Sequence, residues 1–164
     1  MNYTFDSQRE RTACFSGHRF LGEGVEEAPA LLEAELRRLI GEGFAYFGSG
    51  GALGFDTLAA EAVLRLRREH THIKLILILP CRNHTARWAA ADRLRFERIL
   101  KRANKVVYVS EEYYEGCTLA RNRYMVERSS ACVCWLERPS GGTAYTVNYA
   151  RSRGLEIINL AKRA

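Results

Sequence analysis

The chain has 164 residues, 47% of them apolar and 27% charged, with a formal net charge of +6 at pH 7. That size suits one compact domain spanning 1–164, and the composition leaves little room for a long disordered tail. The longest apolar run, residues 73–80, is broken by Lys74 and is far too short to span a bilayer.

The segment 1–11 is polar and lacks the apolar core of a signal peptide, so a cytoplasmic protein is expected. The five cysteines agree, because an odd count at irregular spacing is no disulfide framework. Thr12 to Ser16 reads as a short strand. Leu32, Leu36, Leu39 and Ile40 recur at helical spacing within residues 30–40, and Gly41 and Gly43 end that helix. Phe44 to Phe47 is a second strand. Leu58, Ala59, Ala62, Val63 and Leu66 make the apolar stripe of a helix over 57–68. Residues 73–79 are nearly all aliphatic, as in a strand buried on both faces, and Pro80 stops it. A third helix is predicted over 86–103, with Phe96, Ile99, Leu100 and Ala103 inward. A strand over 105–109, a helix over 119–129 and a strand over 131–136 follow. Cys132 and Cys134 alternate with apolar residues on that strand and would face one side of the sheet as buried free thiols. A helix over 142–153 and a strand over 155–160 close the chain.

A strand–helix unit repeated five times with a closing strand predicts an α/β fold: a doubly wound, mostly parallel sheet with helices on both faces. In such sheets ligands bind beyond the carboxyl ends of the strands, near the switch in strand order. Three loops should meet there. Ser16-Gly17-His18-Arg19 follows the first strand; Gly17 allows a tight turn, Arg19 can pair with a phosphate, and His18 can donate to an anion or act as acid or base. Gly48-Ser49-Gly50-Gly51-Ala52-Leu53-Gly54-Phe55-Asp56 separates the second strand from its helix. Its glycines allow close backbone approach, and the helix start offers N–H groups to an anion. No Lys-Ser/Thr pair follows, so this is not a P-loop. Asp56 is read as an N-cap or as an acceptor for ribose hydroxyls. Glu61, five positions on, is either its support or simply exposed.

The third loop, Pro139-Ser140-Gly141-Gly142-Thr143, repeats the same logic before the last helix, with Thr143 able to cap it or bond a phosphate oxygen. The helix over 119–129 adds Arg121 and Asn122 in its first turns, and Tyr124 as a ring for stacking. Glu111-Glu112-Tyr113-Tyr114-Glu115 can form a wall or lid. His18, His70, His72 and His84 make no metal spacing with the cysteines.

Ser-Gly-His-Arg at 16–19, Gly-Gly-Ala-Leu-Gly-Phe-Asp at 50–56, Arg-Asn-Arg-Tyr-Met at 121–125 and Gly-Gly-Thr-Ala-Tyr-Thr at 141–146 occur in that order. Together they resemble the YpsA-like family of the SLOG superfamily, which groups DprA DNA-processing proteins with LOG phosphoribohydrolases. The resemblance runs from about Thr12 to Leu160. It implies a Rossmann-like fold, a pocket for a nucleotide or nucleotide-derived ligand, and a capacity for homo-oligomers. LOG enzymes carry Pro-Gly-Gly-x-Gly-Thr-x-x-Glu; counted from Gly142-Thr143, Thr146 stands where that Glu would be. A hydroxyl supplies neither the charge nor the basicity of a carboxylate.

The leading expectation is therefore a nucleotide-type small-molecule binder, possessing no membrane segment and acting as a sensor. Both glycine loops would hold phosphate, with Ser16 and Gly17 beside them. Arg19 and Arg121 would neutralise charge, Asp56 would take ribose hydroxyls, and Tyr124 or Tyr145 would stack. The alternative is a nucleotide N-glycosidic hydrolase, with Asp56 or Glu61 stabilising the oxocarbenium charge and His18 as acid. The third reading is DprA-like nucleic-acid binding, suggested by the +6 charge but opposed by arginines scattered along the whole chain.

Overall fold

The computed structural model describes residues 3–163. The polar N-terminal segment forms helix α1 (Tyr3–Glu10), except for its first two residues, which lie outside the described ones. Strand β1 (Thr12–Gly17), helix α2 (Gly24–Gly41), β2 (Tyr46–Ser49), α3 (Phe55–Leu66), β3 (Lys74–Leu79), α4 (Ala90–Arg102), β4 (Lys105–Tyr108), α5 (Cys117–Glu127), β5 (Ala131–Trp135), α6 (Gly142–Ser152) and β6 (Glu156–Asn159) follow. A 3₁₀ turn (Leu160–Arg163) ends the described chain. The sheet has six strands in the order β4-β3-β2-β1-β5-β6, and every pairing is parallel.

Helices cover both faces, and the strands divide their side chains accordingly. Ala13 and Phe15 of β1 with Ala131, Val133 and Trp135 of β5 face the larger core, against Leu32, Leu36 and Leu39 of α2, Ala59 and Val63 of α3, and Phe96 and Ile99 of α4. Cys14, Cys132 and Cys134 face the other way, against Met125 and Val126 of α5 and Val147 and Ala150 of α6. The period-two alternation of β5 thus places both of its thiols on one side, buried and unpaired. Ion pairing closes the fold at its C-terminal end. The buried Glu35 of α2 accepts from Arg38 and, at 2.7 Å, from Arg163.

Some boundaries differ from the expected ones, for local reasons. Helix α2 runs N-terminally through Pro29 to Gly24, because Ala28 continues the buried stripe. Helix α4 starts later than expected. Residues 83–88 form turns instead, with Ala86 N–H on the Asn83 carbonyl and Trp88 N–H on that of Thr85. Strand β2 lies two residues further on than expected. Gly48 and Ser49 belong to it, Gly48 beside Cys14 and Ile76. Helix α3 begins at Phe55, so Asp56 is its second residue and not its N-cap.

The chain builds β1 to β4 outward in one direction, with α2, α3 and α4 on one face. It then returns to add β5 on the other side of β1, with α5 and α6 on the opposite face. The switch in strand order therefore falls between β1 and β5, and connections diverging to opposite faces open a crevice at their carboxyl ends. Among the described residues, no helix is long and apolar enough to cross a membrane.

Candidate functional site

A cleft of about 540 Å³ occupies that switch point. The loop after β1 supplies Ser16, Gly17, His18, Arg19 and Phe20. The loop after β5 supplies Arg138, Ser140, Gly141, Gly142 and Thr143. Ala52 and Asp56 come from the start of α3, and Thr118, Arg121 and Asn122 from the start of α5. The lining holds three cations, Arg19, Arg121 and Arg138, and one carboxylate, Asp56.

Two hydrogen-bond chains hold the cleft in shape. Arg121, 3% exposed, donates Nη1–H to the Gly50 carbonyl and Nε–H to Asn122 Oδ1 at 2.6 Å. Asn122 Nδ2 donates to Thr146 Oγ1 at 2.9 Å, and that hydroxyl donates to the Gly142 carbonyl at 3.0 Å. One network thus joins the first glycine loop, α5 and the start of α6. On the opposite wall, His18 Nε2 accepts the Glu137 N–H at 3.0 Å, and the His18 carbonyl accepts the Phe55 N–H at 3.1 Å. The loop after β1 is thereby fixed to both β5 and α3. Because Nε2 already accepts a backbone N–H, His18 has no proton there to give. Burial, helped by Arg138, lowers its pKa. In this geometry His18 positions the loop, and an acid role would fall to its Nδ1–H.

The first glycine loop is folded onto itself. Gly51 N–H donates to Ser49 Oγ at 3.3 Å, Ser49 Oγ–H to the Asp56 carbonyl at 3.1 Å, and Ala52 N–H to Asp56 Oδ2 at 3.3 Å. His84 Nε2 meets the Gly51 carbonyl at 3.1 Å. Of residues 48–54 only Ala52 lines the cleft; Gly48, Ser49, Gly50, Gly51 and Gly54 do not. The glycines serve close packing. Gly54 has φ 79° and ψ −121°, and a Cβ there would overlap the Arg19 backbone. A Cβ on Gly17 would lie 2.5 Å from Phe55 Cδ1.

The second glycine loop is open. Gly141, at φ 100°, precedes α6; the helix has no side-chain cap and no acidic residue in its first turn. Its positive end therefore faces the cleft without a carboxylate to oppose an anion. Thr143 lines the cleft but does not cap the helix.

Asp56 is 6% exposed, and burial pushes its pKa up to about 6, against the pull of Arg121, the Ala52 N–H and Arg19. Burial in turn lowers the pKa of Arg121, with Asp56 opposing. Glu61 stands apart, paired with Arg95 at 3.0 Å on the outer side of α3. Tyr124 shares a helix face with Arg121 but sits one turn deeper, where its ring packs with the α5–α6 core and carries Arg128 at 3.5 Å. Tyr145 is exposed and bonded to Arg123 at 3.1 Å, also off the cleft. The acidic, aromatic loop 111–115 lies beyond β4 at the far edge, with Glu111 paired to Arg82. No group of three or more His, Cys, Asp or Glu able to hold a metal occurs among the described residues.

The sequence reading missed Phe20, Arg138 and the structural use of Thr146. Phe20 directly follows the 16–19 motif and Arg138 directly precedes the 139–143 loop, so extending each motif by one residue would have found both.

Comparison with known proteins places this geometry. The YpsA model, described as the YspA SLOG family, matches residues 23–156. The UPF0398 protein BH1768 of Halalkalibacterium halodurans is 31% identical over 133 residues, covering 79% of this chain and 70% of that protein. The SPbeta prophage-derived protein YoqJ of Bacillus subtilis is 31% identical over 117 residues, 64% of this chain and 68% of its own. The fold is similar to DNA processing protein A from Helicobacter pylori, solved for its single-stranded DNA binding mode. That likeness has TM-score 0.65 and 19% identity, and covers 91% of this chain and 64% of that one. The Streptococcus pneumoniae DprA gives TM-score 0.64 and 18% identity, over 93% of this chain and 50% of its own. The chain thus spans between half and two thirds of these DprA chains, and the likeness concerns the fold. With four fifths of its length inside the family match, this chain belongs to the YspA SLOG family.

Proposed function

We propose that the cleft binds a nucleotide or a nucleotide-derived phosphate ligand. The observation that carries this reading is the concentration of positive charge at one point of the switch crevice. The uncapped start of α6 faces Arg19, Arg138 and the buried Arg121, with Asp56 as the one acid in the lining. A phosphate at Gly141–Thr143 would accept backbone N–H bonds and meet guanidinium groups. Phosphate belongs on this second loop and not on the first, whose N–H groups at 51 and 52 are already used. Asp56 then sits within the same cleft as an acceptor for sugar hydroxyls.

One observation favours a second reading, N-glycosidic hydrolysis. A carboxyl with a pKa of about 6 suits a general acid. Against it, Glu61 faces away and Thr146 is buried with its hydroxyl committed, so no second carboxylate flanks Asp56 in the cleft lining. The fold shared with the DprA proteins brings single-stranded DNA as a third candidate, distinguished by a steep loss of affinity with salt.

The test is a thermal-shift screen with AMP, ADP-ribose, NAD and cyclic dinucleotides on the wild type and Gly142→Glu. A side chain at Gly142 meets nothing within 4 Å, so this variant should fold while placing a negative charge at the start of α6. Stabilisation of the wild type, lost in the variant, is expected. An equal shift in both proteins, or none with any probe, would remove the reading. Release of free base from a bound nucleotide would promote the hydrolase.

A further inference from the structure

Resting on the nucleotide reading, we propose that the base of the ligand leaves the main cleft and stacks on Phe20, in a separate apolar side cleft between α2 and α3. The side cleft has a volume of about 420 Å³ and shares Arg19 and Phe20 with the main one. Val25, Leu53 and Leu58 give it apolar walls, with Thr57 and, from α4, Asp92 and Arg95 as further polar members. The main cleft is polar and cationic; the side cleft is the apolar continuation of the same depression. A molecule with an anionic group at one end and a flat ring at the other matches that division.

Phe20 is 82% exposed, an unfavourable placement for a large aromatic side chain. The loop that carries it is nevertheless held firmly. His18 is bound on both sides, to Glu137 and Phe55. The Arg19 backbone lies against Gly54. Leu21 is buried in the core, and its carbonyl accepts the Gly24 N–H at 3.0 Å. Three fixed neighbours thus hold one aromatic ring out at the boundary of two clefts. A ring on so fixed a backbone needs no main-chain ordering on binding and offers its face to a planar partner. Tyr124 and Tyr145, the rings expected to stack, are engaged elsewhere with Arg128 and Arg123.

The experiment compares AMP with ribose 5-phosphate by isothermal titration calorimetry on the wild type, Phe20→Ala and Phe20→Trp. Because the side chain is exposed, both variants should melt with the wild type. Phe20→Ala should weaken AMP roughly tenfold, within the range found for base–aromatic stacking, and leave ribose 5-phosphate unchanged. Phe20→Trp should retain AMP affinity, with its fluorescence quenched by AMP and not by ribose 5-phosphate. AMP binding that is indifferent to Phe20→Ala, or an equal loss for both probes, would overturn the stacking site and leave the nucleotide reading standing. Failure of the wild type to bind AMP would overturn the stacking site, and the nucleotide reading would fall with it where the wider screen also gave no shift.

Discussion

Replacing Gly54 by alanine drives a methyl group into the main chain of Arg19. The added Cβ would sit 2.6 Å from Arg19 Cα and overlap its carbonyl oxygen, and a backbone cannot swing aside as a flexible side chain can. The residue also holds φ 79° with ψ −121°, a combination open to glycine and closed to L-residues. Backbone strain of this kind costs about 1–3 kcal/mol, and overpacking adds about 1–3 kcal/mol more. At ~2–4 °C per kcal/mol for a domain of this size, the melting temperature should fall by roughly 4–24 °C. Gly22→Ala separates the two terms. Gly22 also has positive φ, +58°, but nothing lies within 4 Å of its added Cβ, so only left-handed strain of about 1–2 kcal/mol applies. Calorimetric melting of the two variants beside the wild type gives the comparison. The overlap also displaces Arg19 from the cleft, so Gly54→Ala should lose ligand stabilisation where Gly22→Ala keeps it. Equal melting temperatures for the two variants would refute the claim that Gly54 exists to let the two loops touch.

Two further outcomes are expected. Asp56 carries a folded pKa of about 6, raised by burial above the ordinary 3.8, so the folded state holds the extra proton in the window between them. Its favourable contribution is complete below about pH 4 and is lost as pH rises through 6; relative to Asp56→Asn, which cannot titrate, the wild type should lose up to about 3 kcal/mol across that interval. Parallel urea-derived stability profiles from pH 4 to 7.5 would contradict this. Thr146→Val keeps the shape of the side chain but strips Asn122 Nδ2 of its acceptor and the Gly142 carbonyl of a donor. It should cost about 1–3 kcal/mol and weaken nucleotide binding through the loosened start of α6; an unchanged melting temperature would show that the network bears no weight.

The alternation of strand and helix, the burial of Cys132 and Cys134 on one side of β5, and the meeting of three loops at one sheet edge were all legible in the sequence. They depend on periods of two and of about three and a half residues, which a chain displays locally. The motifs 16–19, 121–122 and 141–143 were likewise legible as cleft-forming, because each directly follows a strand or opens a helix at that edge. The tertiary structure decided what each residue does there. Whether the N–H groups of the first glycine loop are free depends on Ser49 and on the Asp56 carboxylate, and whether Arg121 is free depends on a carbonyl 71 residues away. Tyr124 matches Arg121 in helical phase and differs only in depth, a coordinate that periodicity does not carry. Strand order follows from which face each helix covers. That choice is made by the packing of α5 and α6 against Cys14, Cys132 and Cys134, and only this packing puts the cleft between β1 and β5.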